Sequence, residues 1–167
     1  NSLDRKKQQA YLEKLSYRDM LTGLYNRNRY IERLEAYKQV QDQQIGAIYI
    51  DLNGLKKVND EQGHRAGDEL IVRAAGTIAG IFAEDAYRVG GDEFVVILLD
   101  VSREDFARKT EQLRRQMQEN SVDASIGGVW QASTENLENL LRRADENMYR
   151  EKKRYYSQAD AARKPES

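Results

Sequence analysis

Apolar residues recur at helical spacing in some stretches of this chain and gather into short β-branched runs in others, and the alternation of the two patterns defines its elements. Residues 1–17 are polar and charged, with Leu3, Tyr11, Leu12 and Leu15 as sparse apolar points, and predict a helix leading into the domain. That helix reads equally as a solvated connector or as a signalling helix from an upstream sensor. Asp19-Met20-Leu21-Thr22-Gly23-Leu24-Tyr25-Asn26 is rich in turn formers and predicts an ordered loop. From about Asn28 to Gln39, Tyr30, Ile31, Leu34 and Tyr37 share one helical face. Ile45 to Leu52 is a short, β-branched apolar run that predicts a buried strand ending at Asp51. Gly63 to Gly67 opens a further helix whose apolar face includes Leu70, Ile71, Ala74, Ala75 and Ile78. Ala86–Val89 and Phe94–Leu99 read as two strands joined by the hairpin Gly90-Gly91-Asp92-Glu93. Ser102 and Asp105 fit a helix start, with the helix running to about Gln118. Ala124–Trp130 is another strand, and Leu137, Leu140, Leu141, Ala144 and Met148 mark a last amphipathic helix. The polar stretch from Ser157 to Ser167 predicts a frayed tail.

Helices and strands interleave, but a hairpin sits in the middle of the order. That predicts an α/β (α+β) domain with a mostly antiparallel central sheet flanked by helices, not a doubly wound parallel sheet. The expected core is βαββαβ, ferredoxin-like, of the palm type found in polymerases and nucleotide cyclases. The chain divides into a leading helix over 1–17, a folded unit over 18–156 and a polar tail over 157–167.

Composition narrows the chemistry. The chain has 167 residues, enough for one domain with a core, and 40% of them are hydrophobic. With 27 basic and 28 acidic residues the net charge is -1, which argues against a nucleic-acid binder. There is no cysteine and a single histidine, His64, so thiolate chemistry and histidine-rich metal sites are excluded. A metal must then be held by carboxylates and carbonyls, which suit magnesium or manganese. No apolar stretch is long enough to span a bilayer and no signal peptide is visible, so the chain reads as cytoplasmic, without membrane contact. It begins Asn1-Ser2-Leu3 rather than with methionine, which fits a fragment of a longer protein.

The candidate chemistry starts at Asp51. A carboxylate ending an apolar strand is costly unless it is paired, hydrogen-bonded or metal-bound. Asp92 and Glu93 form a second acidic group at a hairpin tip, after two glycines that permit a tight turn and close approach of a ligand. If the two strands are neighbours, Asp51 and Asp92 lie side by side as a hard, oxygen-only site that can bridge triphosphate oxygens. Taken alone, the same residues fit an ordinary turn and a strand-end aspartate. Lys56, one loop after Asp51, can neutralise developing phosphate charge or can simply be a surface lysine. Asn59 and Asp68 offer the amide and carboxylate that a guanine edge requires. Taken singly, they read first as a loop asparagine and a helix-start aspartate stabilising the helix dipole.

Together these motifs resemble the GGDEF family of diguanylate cyclases. Asp19-Met20-Leu21-Thr22-Gly23-Leu24-Tyr25-Asn26-Arg27 is similar to the family's opening motif. Asp51-Leu52-Asn53-Gly54-Leu55-Lys56-Lys57-Val58-Asn59-Asp60, with Gly63-His64 and Gly67-Asp68, is similar to its substrate segment. Arg88-Val89-Gly90-Gly91-Asp92-Glu93-Phe94 carries the signature, and Ser125-Ile126-Gly127, Ala144-Asp145, Met148-Tyr149 and Lys152 match later landmarks. The resemblance implies condensation of two GTP into cyclic di-GMP and two pyrophosphates, across a homodimer in which each subunit holds one GTP. It also implies an upstream sensory domain. Carried over, Asp51 and Asp92 hold magnesium or manganese with the Leu52 carbonyl, and Asp92 is the candidate base for the attacking hydroxyl. Glu93 supports the metal and the turn, Lys56 stabilises the transition state, and Lys152 contacts phosphates. Asn59 and Asp68 bind guanine, His64 lines the substrate site, and Gly90 and Gly91 leave room for GTP.

Three departures stand out. Asn53 and Gly54 replace an aspartate and an aromatic residue common in the family, and Tyr155-Tyr156 replaces the usual Gly-Arg after the last helix. Ile81 and Glu84 occupy the positions of the Arg-x-x-Asp product-inhibition motif, so feedback inhibition through that site is expected to be absent or weak. The alternative is a catalytically inactive domain that binds GTP and regulates a partner, but such domains usually lose signature residues that are intact here. The Asn59–Asp68 pair argues for guanine over adenine.

Overall fold

The computed structural model describes the backbone of residues 1–163 and the side chains of all of these except 13–15 and 163. The apolar point Leu15 and residues 164–167 of the tail lie outside the described residues. In chain order the elements are α1 (Ser2–Tyr17), α2 (Arg27–Tyr37), β1 (Ile45–Leu52), α3 (Leu55–Gln62), α4 (His64–Phe82), β2 (Ala86–Arg88), β3 (Glu93–Leu99), α5 (Arg103–Glu119), β4 (Ala124–Gln131) and α6 (Leu137–Arg163). A 3-10 turn over Ala83–Asp85 links α4 to β2.

The succession β1-α4-β2-β3-α5-β4 is the expected βαββαβ core. Its strands form one sheet in the order β2-β3-β1-β4, and every neighbouring pair is antiparallel. β1 and β3 are apolar on both faces because both faces are covered. Ile48, Ile50 and Leu52 of β1, with Phe94, Val96 and Leu98 of β3, meet Leu70, Ile71, Ala74 and Ile78 of α4 and Phe106, Leu113 and Met117 of α5. The alternate residues Ile45, Ala47, Val95 and Ile97 turn the other way onto Tyr30 of α2 and Leu137, Leu140 and Ala144 of α6. The period-two alternation of strand side chains thus sorts one continuous apolar run into two cores.

Local signals set the helix starts. The Asn26 side chain accepts from the Arg29 backbone N–H at 3.1 Å, and Ser102 accepts from the Asp105 N–H at 3.1 Å. α1 leaves Leu3, Tyr11 and Leu12 exposed. α3 departs from the expected loop after Asp51: Leu55–Gln62 is a separate helix, joined to α4 at Gly63, whose φ of 91° is a left-handed value that glycine tolerates. With only Leu55 and Val58 as apolar points, eight residues carry too little periodicity to read as a helix.

α6 also departs from expectation, since it continues through residues 157–163 where the polar composition predicts fraying. Good helix formers such as Gln158, Ala159, Ala161 and Ala162 extend a helix already nucleated on the sheet. Gly127 decides how close that helix comes. A Cβ there would lie 2.2 Å from the Met148 backbone nitrogen and 2.4 Å from the Ala144 carbonyl oxygen, so α6 rests directly on β4. One turn beyond Met148, this approach carries Lys152 to the end of β1.

Candidate active site

The end of β1 and the hairpin before β3 meet as the strand pattern predicts. Asp51 pairs in register with Glu93, and the Leu52 N–H donates to the Asp92 carbonyl at 3.0 Å. The Val89 N–H closes the hairpin onto the Glu93 carbonyl at 3.0 Å. Carboxylate oxygens of Asp51, Asp92 and Glu93 consequently lie within 4.8 Å of one another, with Asp51 buried, Asp92 half-buried and Glu93 exposed. Neither Gly90 nor Gly91 takes a positive φ, so the turn does not need glycine for a left-handed backbone. A Cβ on Gly90 would come 2.9 Å from the Glu93 carboxylate, the far end of a flexible side chain, and Gly91 faces open space.

Lys152 enters this cluster from α6. Its ammonium lies 2.9 Å from Asp51 Oδ1 and donates to the Leu52 carbonyl at 3.1 Å. Asp51 Oδ1 is buried, and no group donates it an aligned hydrogen bond; the lysine's approach is ionic. Burial pushes the Asp51 carboxyl up to about 6, with the Asp92 carboxylate adding to the rise and Lys152 opposing it. The Leu52 carbonyl is turned inward beside Asp51, so the donors are all oxygen. A buried carboxylate oxygen without a hydrogen bond, carboxylates on two strands and an inward carbonyl fit a hard divalent ion such as magnesium or manganese.

Two further networks aim these groups. Just beyond Leu52, the Asn53 amide donates to Asp123 Oδ1 at 2.9 Å and accepts from the Ser125 hydroxyl at 2.9 Å. Asparagine is therefore suited here, because an aspartate would face the Asp123 carboxylate. On the hairpin side, Arg88 donates to both Asp19 carboxylate oxygens at 3.2 and 3.1 Å and to the Gly91 carbonyl at 2.8 Å. Thr22 donates its N–H and hydroxyl to Asp19. Burial works to raise the Asp19 pKa, but the Thr22 and Arg88 hydrogen bonds outweigh it and hold the carboxyl below its usual range. The opening loop thus braces the signature turn, and Tyr25 bridges to Tyr87 along β2 at the edge of the sheet. Sequence patterning missed Asp19, Thr22, Arg88 and Asp123 as supporting residues, since the Arg88–Asp19 and Asn53–Asp123 partners lie 69 and 70 residues apart in the chain and Thr22 acts only through Asp19.

The remaining predicted residues occupy the α3–α4 corner. Lys56 lies in the first turn of α3, not in a loop, and is exposed. Asn59 leans onto α4: a Cβ on Gly67 would lie only 1.7 Å from Asn59 Oδ1, so the glycine makes room for the amide next to Asp68. His64 and Asp68 are exposed on the first turns of α4. Among the described residues, no hydrogen bond or ion pair joins Lys56, His64 or Asp68 to the carboxylate cluster. Two of the departures touch each other, because a Cβ on Gly54 would sit 3.0 Å from the Tyr155 hydroxyl. Glu84, at the product-inhibition position, is held by Arg18 at 2.7 Å.

This fold and site place the chain in the GGDEF family, to which it belongs: residues 16–158 match the family model described as diguanylate cyclase, GGDEF domain. Over 147 residues it is 33% identical to the diguanylate cyclase DgcS of Shewanella oneidensis, covering 80% of this chain and 49% of DgcS. It is 30% identical over 161 residues to the diguanylate cyclase VdcA of Vibrio cholerae, covering 88% of this chain and 47% of VdcA. The chain thus spans just under half the length of these curated relatives. Its fold is shared with the coiled coil and GGDEF domain of DgcB from Caulobacter crescentus in complex with c-di-GMP, with a TM-score of 0.78 at 23% identity over 91% of this chain and 90% of that one. Cyclases of this family generally use a divalent metal, and the acidic cluster for one is present. No helix among the described residues is long and apolar enough to cross a membrane.

Proposed function

We propose that this domain is an active diguanylate cyclase, which condenses two GTP molecules into cyclic di-GMP with release of two pyrophosphates. The observation that carries this is the convergence of Asp51, Asp92 and Glu93, from two paired strands, beside the inward Leu52 carbonyl. These four residues would hold magnesium or manganese. Such an ion, when bound, neutralises phosphate oxygens and lowers the pKa of a nearby hydroxyl.

The protein's own groups divide the remaining work. Asn59 and Asp68 take the guanine edge, and His64 lines the same corner. The open space at Gly91 admits the nucleotide against the hairpin. The N-terminus of α3 has no side-chain cap, so its first backbone N–H groups would face phosphate oxygens, with Lys56 in the same turn. Lys152 adds a second cation. The 3′-oxygen of one GTP attacks the α-phosphorus of the other, its proton passes to Asp92, and pyrophosphate leaves; the reciprocal step closes the ring. One site cannot supply both partners, so two copies must face each other, each holding one GTP. Alignment and charge neutralisation suffice for this chemistry without a covalent nucleophile.

Incubating the purified protein with GTP and magnesium or manganese, followed by chromatography and mass spectrometry, tests the proposal. Cyclic di-GMP is the expected product. Asp92→Ala is expected to reduce it to background while leaving the circular dichroism melt intact. No product at high protein concentration, with GTP binding retained, identifies a regulatory module instead.

A further inference from the structure

Lys152 occupies an unexpected place for a phosphate-binding lysine. Its ammonium sits 2.9 Å from Asp51 Oδ1 and 3.1 Å from the Leu52 carbonyl, the innermost oxygens of the acidic cluster. The pair is secluded, with 17% of the lysine side chain and 10% of the aspartate side chain exposed. A buried carboxylate with two more carboxylates inside 4.8 Å needs a compensating cation in the folded state, and Lys152 supplies it.

We propose that the Lys152 ammonium is the resident cation of this site and exchanges with the divalent ion. This inference rests on the metal assignment made above for the same oxygens. A divalent ion and an ammonium cannot both contact Asp51 Oδ1 and the Leu52 carbonyl, since like charges would meet within one coordination sphere. The lysine's flexible four-carbon stem lets the head group swing out while α6, seated on β4 through Gly127, stays in place. Once displaced, the ammonium needs a new anionic partner, and the phosphates of a nucleotide entering with the ion provide one. Metal and nucleotide then bind synergistically, because each lowers the cost of the exchange for the other. The metal alone binds weakly, since it must leave the lysine without a partner.

Direct binding of Mn2+ without nucleotide, followed by electron paramagnetic resonance or calorimetry, tests this independently of cyclase activity. Lys152→Met is expected to bind Mn2+ about tenfold more tightly than wild type, the size of effect associated with one charge-assisted contact. Lys153→Met, which removes a neighbouring charge facing Tyr149 instead, is expected to leave Mn2+ affinity nearly unchanged. The gain should vanish when Asp51→Asn is added. A second readout uses wild-type protein: amine acetylation of Lys152, followed by mass spectrometry, should become several-fold faster when Mn2+ is added alone. Equal Mn2+ affinity in wild type and Lys152→Met overturns the exchange, as do equal gains in the Lys152 and Lys153 variants, no Mn2+ binding in either form, or labelling insensitive to Mn2+. A protein that makes no cyclic di-GMP yet shows the affinity gain and faster labelling would sink the cyclase proposal alone.

Discussion

Asn53 shows how much one atom can matter beside a charged site. Its amide nitrogen faces a carboxylate and its amide oxygen faces a hydroxyl, a division that only an amide satisfies without repulsion. Asn53→Asp is expected to lower unfolding stability by about 2 kcal/mol, because two carboxylates then share a half-buried contact. Denaturant melts check this, and adding Asp123→Asn should recover part of the loss. Asp19 adds a pH dependence of its own to folding stability. Its folded pKa lies below the unfolded value of 3.8, so its stabilisation is present above that pH and is lost as pH falls through the folded pKa. The melting temperature of Asp19→Asn should therefore trail wild type by a constant gap above about pH 5, and the gap should narrow below about pH 4. The acids of the site were legible as candidates from their pattern, but taken alone each fits an ordinary turn or strand end, and only the resemblance of the whole motif set implied a metal role for them. Their braces were not legible, because the Asp19–Arg88 and Asn53–Asp123 pairs join residues distant in sequence.

Among the elements, α6 positions more of the site than its sequence suggests. Its apolar stripe predicts an amphipathic helix, but the contact with β4 depends on the missing side chain of Gly127. Gly127→Ala drives a methyl group into the helix backbone, where no side chain can yield, and should cost about 2 kcal/mol in denaturant melts. Turnover should fall further than stability, because Lys152 moves with the helix. α3 makes the opposite point. Periodicity could not reveal a helix with two apolar residues, yet its placement puts Lys56 in an uncapped first turn and Asn59 against Gly67. The long strands were legible because β1 and β3 are apolar runs rich in β-branched residues, apart from Asp51 and Glu93 at their ends. Two-sided burial, which those runs imply, is realised by α4 and α5 on one face and α2 and α6 on the other.

At the scale of the whole molecule, the proposed reaction needs two copies of the domain, each holding one GTP. Its rate per mole of protein should rise with protein concentration and level off once copies are paired, as initial rates across a dilution series will record. What the sequence determined by itself is the set of elements with strong periodicity, the mixed α/β class, the oxygen-only chemistry and the acidic residues that could serve it. Those follow from residue type and local spacing, and both are written along the chain. The tertiary structure decided which acids converge, that the Leu52 carbonyl faces Lys152, that Arg88 braces the hairpin, and that Lys152 arrives in the cluster from a helix 100 residues further along the chain. Each of these depends on antiparallel register and on the distance between a helix and a strand, which are set only when separated segments pack together.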